Sequence, residues 1–149
     1  MQNFLLNFDR YFISEMHRWG IPLLRTLLGI VFLWFGTLKL TGISPVTELI
    51  AQTYSFLPQE AFIPILGIWE VVIGMGLIFK ISLRVTLALL WLQLAGTFIA
   101  SLLEPAIFFS GSNPLALTVE GEFVVKNLVL LAAGLVIGGH EVLPTEKQE

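Results

Sequence analysis

Apolar residues in this chain come in long runs rather than in alternation. Four nearly continuous stretches, residues 21–40, 62–79, 85–103 and 123–139, are separated by segments carrying turn-formers and charge. Each is close to the roughly 20 residues that a helix needs to cross about 30 Å of hydrocarbon at 1.5 Å per residue, so the pattern predicts four spans. Residues 3–19 differ. Phe4, Leu5, Phe8, Tyr11 or Phe12, Ile13 or Met16 and Trp19 recur every three to four positions, with Asn7, Asp9, Arg10, Ser14 and Arg18 between them. This periodicity predicts an amphipathic helix in the headgroup plane, either an anchor or a partner-docking element. Gly20 and Pro22 should break it and open the first span, where a first-turn proline costs little.

The connections carry their own signals. Ser44-Pro45 predicts an N-cap followed by a first-turn proline. Val46, Leu49, Ile50 and Leu57 continue at helical spacing, with Thr53 in the gap, which predicts a short helix on or dipping into the outer leaflet. Residues 80–84 leave room only for a tight antiparallel helical hairpin. Residues 105–121 hold Phe108, Phe109 and the turn-like Ser110-Gly111-Ser112-Asn113-Pro114, and fit either a lid or an interfacial loop. The expected fold is all-α: one domain over residues 1–149, an integral membrane antiparallel four-helix bundle with an N-terminal interfacial amphipathic helix.

Composition agrees with a lipid solvent. The chain has 149 residues, 56% of them hydrophobic and 13% charged, with a mean hydropathy of +0.85. A soluble domain of this size has too little interior to hide four such stretches. The net charge of −3 is spread along the chain without a basic patch, which argues against nucleic acid as a partner. There is no cysteine, excluding disulfides, thiol relays and iron–sulfur ligation by this chain. No basic start precedes an apolar core and no A-x-A site follows, so the first span is expected to be retained. Arg10, Arg18 and Arg25 precede or open span 1, Lys80 and Arg84 bracket the hairpin, and Lys147 lies in the tail. Residues 41–61 and 104–122 contain no Lys or Arg, so both termini and the hairpin should be cytoplasmic.

Against this background a few polar residues stand out. Glu70 lies near the middle of span 2, with Gly67 and Gly74 on its face. An ionised carboxylate at that depth costs several kcal/mol unless paired, and small residues beside it let another helix approach. It is a functional candidate, or a group that fixes helix packing. Lys39 ends span 1 on the outer side, and Lys126 lies a turn inside span 4, four residues after Glu122. Either lysine could snorkel to the headgroups. Alternatively, Lys39, Glu70, Glu104, Glu122 and Lys126 converge on a polar chamber in the outer half. Span 3 presents Thr86, Leu90, Gln93, Thr97, Ser101 and Glu104 on one face. Gln93, Thr97 and Ser101 either join helices or line a ligand path, and Asn127 on span 4 is ambiguous in the same way. Arg25, Phe32, Gly36 and Lys39 share a face of span 1 expected to turn inward. Trp34 and Trp69 lie deep enough for ordinary packing or for an aromatic wall beside a flat ligand. Gly134, Gly138 and Gly139 read as close-packing sites. His17 and His140 sit at the two cytoplasmic boundaries. No metal spacing, Gly-rich phosphate loop or nucleophile elbow is present.

The run Arg25-Thr-Leu-Leu-Gly-Ile-Val-Phe-Leu-Trp-Phe-Gly-Thr-Leu-Lys-Leu40 resembles the first span of the DoxX family and its DoxX-like relatives. Those begin with an arginine, pass through a Phe/Gly stretch and end in Gly-x-x-Lys, here Gly36-Thr37-Leu38-Lys39. The resemblance continues through Gly67-Ile68-Trp69-Glu70 with Gly74, and through Gly121-Glu122-Phe123-Val124-Val125-Lys126-Asn127, covering most of residues 22–140. Bacterial inner-membrane proteins linked to reactive-chlorine resistance match the Phe32–Gly36 and Glu70 regions comparably. The resemblance implies a small four-helix bacterial inner-membrane protein. It also implies an accessory subunit of a quinone-linked oxidoreductase, as in thiosulfate:quinone oxidoreductase, or a redox or oxidant-stress protein. Such a protein would bind a quinone-like or other small apolar ligand in the outer half, with a redox partner protein and a homo-oligomer as possible associations. Arg25, Lys39, Glu70 and Lys126 are the matched positions, carried over as a family polar core. Lacking cysteine, this chain could not perform a thiol-based role. The alternatives are a non-enzymatic membrane scaffold or chaperone-like protein and, third, a small-solute transporter acting as an oligomer.

Overall fold

The structure, a computed structural model, describes residues 2–111 and 115–142, with side chains from residue 7 onward. Ser112, Asn113 and Pro114 of the predicted turn, the side chains of Phe4 and Leu5, and Lys147 lie outside them. The described chain is helical: α1 (Gln2–Leu40), α2 (Thr47–Thr53), α3 (Gln59–Phe79), α4 (Leu83–Leu103), α5 (Pro105–Phe108) and α6 (Val119–Glu141). Four of these helices, α1, α3, α4 and α6, are long and apolar enough to cross a membrane. The only β pairing among the described residues is an isolated bridge between Phe109 and Leu117.

The predicted break at Gly20 and Pro22 does not occur. Helix α1 runs through both as a single helix of 39 residues, about 58 Å long at 1.5 Å per residue. An interior proline removes one backbone hydrogen bond and crowds the carbonyl four residues back. Here a long apolar run continues the helix on the C-terminal side, and the Thr26 hydroxyl donates back to the Pro22 carbonyl at 2.8 Å. Residues 2–19 therefore extend the first span rather than forming a separate helix. Phe8, Tyr11, Phe12, Met16 and Trp19 on this extension are all exposed. The predicted Ser44 cap is also displaced: α2 starts at Thr47 with Val46 at its N-cap and no side-chain cap.

Helices α1 and α3 pack backbone to backbone. A Cβ added to Gly36 would lie 2.6 Å from the Gly67 carbonyl oxygen, and one on Gly74 would lie 2.7 Å from the Gly29 carbonyl oxygen. As numbers rise on α1 they fall on α3, so these two helices run in opposite directions. On α6, Gly134 accepts Trp91 and Gly138 accepts Leu87, again in opposed order. Gly139 meets no neighbour within 4 Å, which removes it from the predicted close-packing set. The α3–α4 hairpin is as tight as expected: Lys80 (φ 56°) and Ser82 (φ 43°) are left-handed, and the Ile81 N–H bonds the Gly76 carbonyl at 2.9 Å. All four long helices contribute to one core of Leu28, Phe32, Ile73, Leu77, Leu87, Leu90, Leu94, Ala133 and Ile137.

The end of the molecule opposite the hairpin, here the loop end, is closed by the connections. Pro105 opens α5 at its first position and Phe108 is buried. Thr118 caps α6: its hydroxyl accepts from the Gly121 N–H at 3.1 Å and donates to the Ile107 carbonyl at 2.7 Å. Gly121 is required there, because a Cβ would collide with the Phe108 carbonyl oxygen. Helix α2 is pinned by the Tyr54 hydroxyl, which donates to the Gly96 carbonyl at 2.7 Å.

Candidate ligand site

Between the core and the loop-end connections lies a cavity of about 460 Å³. Its walls are apolar, with Phe32, Phe35, Leu49, Leu66, Trp69 and Leu130 among them. Among the described residues, its only formally charged lining residues are Lys39 and Glu70. The Lys39 ammonium donates to both carboxylate oxygens of Glu70, at 3.0 and 2.7 Å. Lys39 is 6% exposed and Glu70 7%. Gln93 completes the group, its amide donating to Glu70 Oε1 at 2.8 Å. One carboxylate thus joins α1, α3 and α4. A buried pair of this kind persists only when its remaining hydrogen-bonding capacity is met, and here Gln93 meets part of it.

Lys39, Glu70, Gln93, Thr97, Trp69 and Asn127 all line the cavity. The Thr97 hydroxyl bonds its own helix at the Gln93 carbonyl, 3.2 Å away, and the Trp69 indole donates to the Leu89 carbonyl at 3.1 Å. Ser101 is outside the lining, its hydroxyl donating to the Phe98 carbonyl at 2.7 Å. Trp34 is 65% exposed on the outer surface of α1, so it forms no wall of the cavity. The two tryptophans differ in the face they occupy: Trp69 packs against the shared core and bonds α4, whereas Trp34, two residues from Gly36, lies on the opposite face of α1 from the Gly36 contact.

The five-charge chamber is corrected to a two-charge one. Lys126 has a side chain 74% exposed and, among the described residues, pairs only with Glu122, 3.8 Å away on the same helix. Glu104 is exposed at the end of α4. These residues occupy helix ends, where water or headgroups solvate them without desolvation cost, so convergence offers them nothing. Arg25 is buried as expected but at the hairpin end. It donates to the Leu77 carbonyl and, at 3.0 Å, to the Ile78 carbonyl. Its Nε also lies 2.8 Å from Glu141 Oε2, while Lys80 approaches Glu141 Oε1 at 2.9 Å. The guanidinium thereby satisfies carbonyls at the end of α3 that have no intrahelical partner. Glu141 is the residue that sequence reasoning missed. A signal existed: an acid just past the fourth apolar stretch, at the same depth as Arg25 and Lys80.

Two further polar groups face the cavity without a protein partner among the described residues. Thr53 is 5% exposed and its hydroxyl is unbonded. Asn127 is 8% exposed and its carboxamide makes no hydrogen bond. The loop-end phenol Tyr54 is pushed above its ordinary pKa by burial, so it stays a neutral donor. The arrangement offers an apolar chamber of ligand size with a charge-balanced polar patch and spare amide and hydroxyl groups. Comparison of the chain with protein-family models, curated proteins and solved structures finds no match.

Proposed function

We propose that this chain is a DoxX-like bacterial inner-membrane protein that binds a quinone-like or other small apolar ligand in the outer half of an antiparallel four-helix bundle. The observation carrying the reading is the apolar cavity whose polar patch is the Lys39–Glu70–Gln93 group. Buried charge at membrane depth is costly and is ordinarily kept for a task. In this reading Lys39 and Glu70 contact the polar end of the ligand, and Trp69 lies along its flat or apolar part. In a quinone reaction Glu70 would exchange protons while a partner protein supplied electrons. Both termini face the cytoplasm, and the exposed aromatics of the α1 extension meet the headgroup layer or a partner.

A scaffold reading has one specific observation in its favour: the same Glu70 carboxylate ties three helices together. The substitution Glu70→Gln separates the two, because glutamine keeps an acceptor for Lys39 and Gln93 while removing the charge and the titratable proton. The measurement is folded yield in detergent beside binding of decyl-ubiquinone, followed by tryptophan quenching. Normal yield with binding weakened about tenfold or more, equivalent to 1.4 kcal/mol, supports the ligand reading. Lost yield supports the scaffold.

A further inference from the structure

We propose that the cavity is filled sideways from the bilayer, through the seam between α1 and α6 at Phe35 and Phe123, by a single-chain amphiphile with an uncharged polar head. This inference rests on the reading of the cavity as a ligand site.

The route follows from which seams are closed. The loop end is overlaid by α2, held through Tyr54 to Gly96, and by buried Phe108; Pro45 and Phe56 line the cavity there and are exposed, but the cover they belong to is tied down by that hydrogen bond. The α1–α3 seam is closed by Lys39 on Glu70. The α3–α4 seam is closed by Gln93 on Glu70 and Trp69 on the Leu89 carbonyl, and Tyr54 ties the end of α2 to α4; Leu92, next to Gln93 in the chain, lines the cavity and is exposed. The α4–α6 seam presents buried Leu94, Ala100 and Val124. The α1–α6 seam is different. Val31, Phe35 and Phe123 line the cavity and are also exposed on the outer surface. Among the described residues no hydrogen bond or ion pair joins α1 to α6 at this level. A tilted ring pair, Phe35 against Phe123 with centroids 6.3 Å apart, spans the gap. The same two helices are tied at the far end by Arg25 and Glu141. A pinned hairpin end and two aromatic side chains at the free end let the seam part by rotamer changes, without breaking a polar bond.

The head chemistry follows from charge. Lys39 and Glu70 cancel, and among the described residues no other formally charged group lines the cavity. An ionic head would be left uncompensated in a desolvated space. Asn127 supplies an unpartnered donor and acceptor, and Thr53 an unpartnered hydroxyl. Those groups match a hydroxyl, ester or ketone. A volume near 460 Å³ suits one drug-sized or single-chain molecule.

The test uses full-length protein in phosphatidylcholine vesicles, with Trp19, Trp34 and Trp91 changed to phenylalanine so that Trp69 reports alone. A brominated monoacylglycerol should quench Trp69 saturably, at mole fractions where brominated phosphatidylcholine does not. A brominated fatty acid in its anionic form should need at least about tenfold more. Asn127→Leu should weaken the monoacylglycerol effect by roughly threefold to tenfold, the worth of one hydrogen bond. In a Phe35→Cys/Phe123→Cys variant of this cysteine-free chain, bridging the pair with dibromobimane should abolish rapid quenching that the unbridged variant retains, and Phe35→Ala/Phe123→Ala should hasten it. Equal or stronger quenching by the anion would overturn the neutral head and leave the cavity reading standing. Undiminished quenching after bridging would overturn the route alone. No saturable quenching by either probe would remove the ligand reading itself, and this inference with it.

Discussion

Lys39 and Glu70 meet because each leans toward the other along opposed helices. Gly36 faces Gly67 and Gly29 faces Gly74, a register that sets Lys39 opposite Pro64, six residues short of Glu70. That offset is about 9 Å along the axis. Side chains on a helix tilt toward its N-terminus. On α1 this aims Lys39 back into the molecule, and on α3, running the other way, it aims Glu70 up toward the loop end. The lysine therefore turns its ammonium inward, away from the loop end that lies nearer its own backbone.

Because each position leans toward the other, the pair should tolerate reversal. Lys39→Glu and Glu70→Lys alone each leave two like charges buried and should abolish folding or cost at least about 3–5 kcal/mol. The double exchange should recover most of that loss, with the Gln93 amide turned to accept. Thermal denaturation of purified protein in detergent would check it; a double variant no better than either single would argue against a direct Lys39–Glu70 pair.

The α1–α3 contact predicts a sharp contrast among glycines. Gly36→Ala places a methyl 2.6 Å from the Gly67 carbonyl oxygen, and should destabilise by about 1–3 kcal/mol as the helices are forced apart. Gly20→Ala and Gly139→Ala meet nothing within 4 Å, and should be neutral or stabilising by roughly 0.5–1 kcal/mol through helix propensity. Melting temperatures of the three variants, taken in one detergent, decide the matter.

Glu141 should matter more than its position near the end of α6 implies. Glu141→Ala strips the buried Arg25 of its carboxylate and should cost about 3 kcal/mol or more. Lys80→Ala removes the exposed partner of the same acid, whose side chain is 54% accessible, and should cost under about 1 kcal/mol. Equal effects from the two variants would argue against a buried Arg25–Glu141 contact.

Lys126 and Trp34, both plausible ligand contacts from sequence, should be dispensable. Lys126→Ala removes an exposed pair with Glu122, worth at most about 0.5 kcal/mol, and should leave quinone binding unchanged. Trp34 should be quenched by brominated bulk lipid, and Trp69 much less, when each is kept as the sole tryptophan. The opposite order would place Trp34 inside.

Much of the fold could be read from the chain because lipid imposes a simple rule. A segment of about 20 apolar residues must satisfy its own backbone, so it is helical whatever its neighbours do. The four long helices, the tight hairpin and the inward face of Arg25, Phe32, Gly36 and Lys39 follow from spacing alone. The continuity of α1 through Pro22 did not, because a proline's local cost is small beside the helix on either side. Nor did the destination of each charge. Glu122 and Lys126 have the same types as Glu70 and Lys39, and only their surroundings separate them.

By itself, then, the order of residues determined helical segments, their lengths and the presence of a carboxylate where hydrocarbon is expected. Only the tertiary structure decided which base that acid meets, which tryptophan turns inward and that a chamber remains between the core and the loop-end cover. The reason is physical: helix formation is satisfied within a segment, whereas a charge or a cavity is defined by groups brought from three or four segments at once.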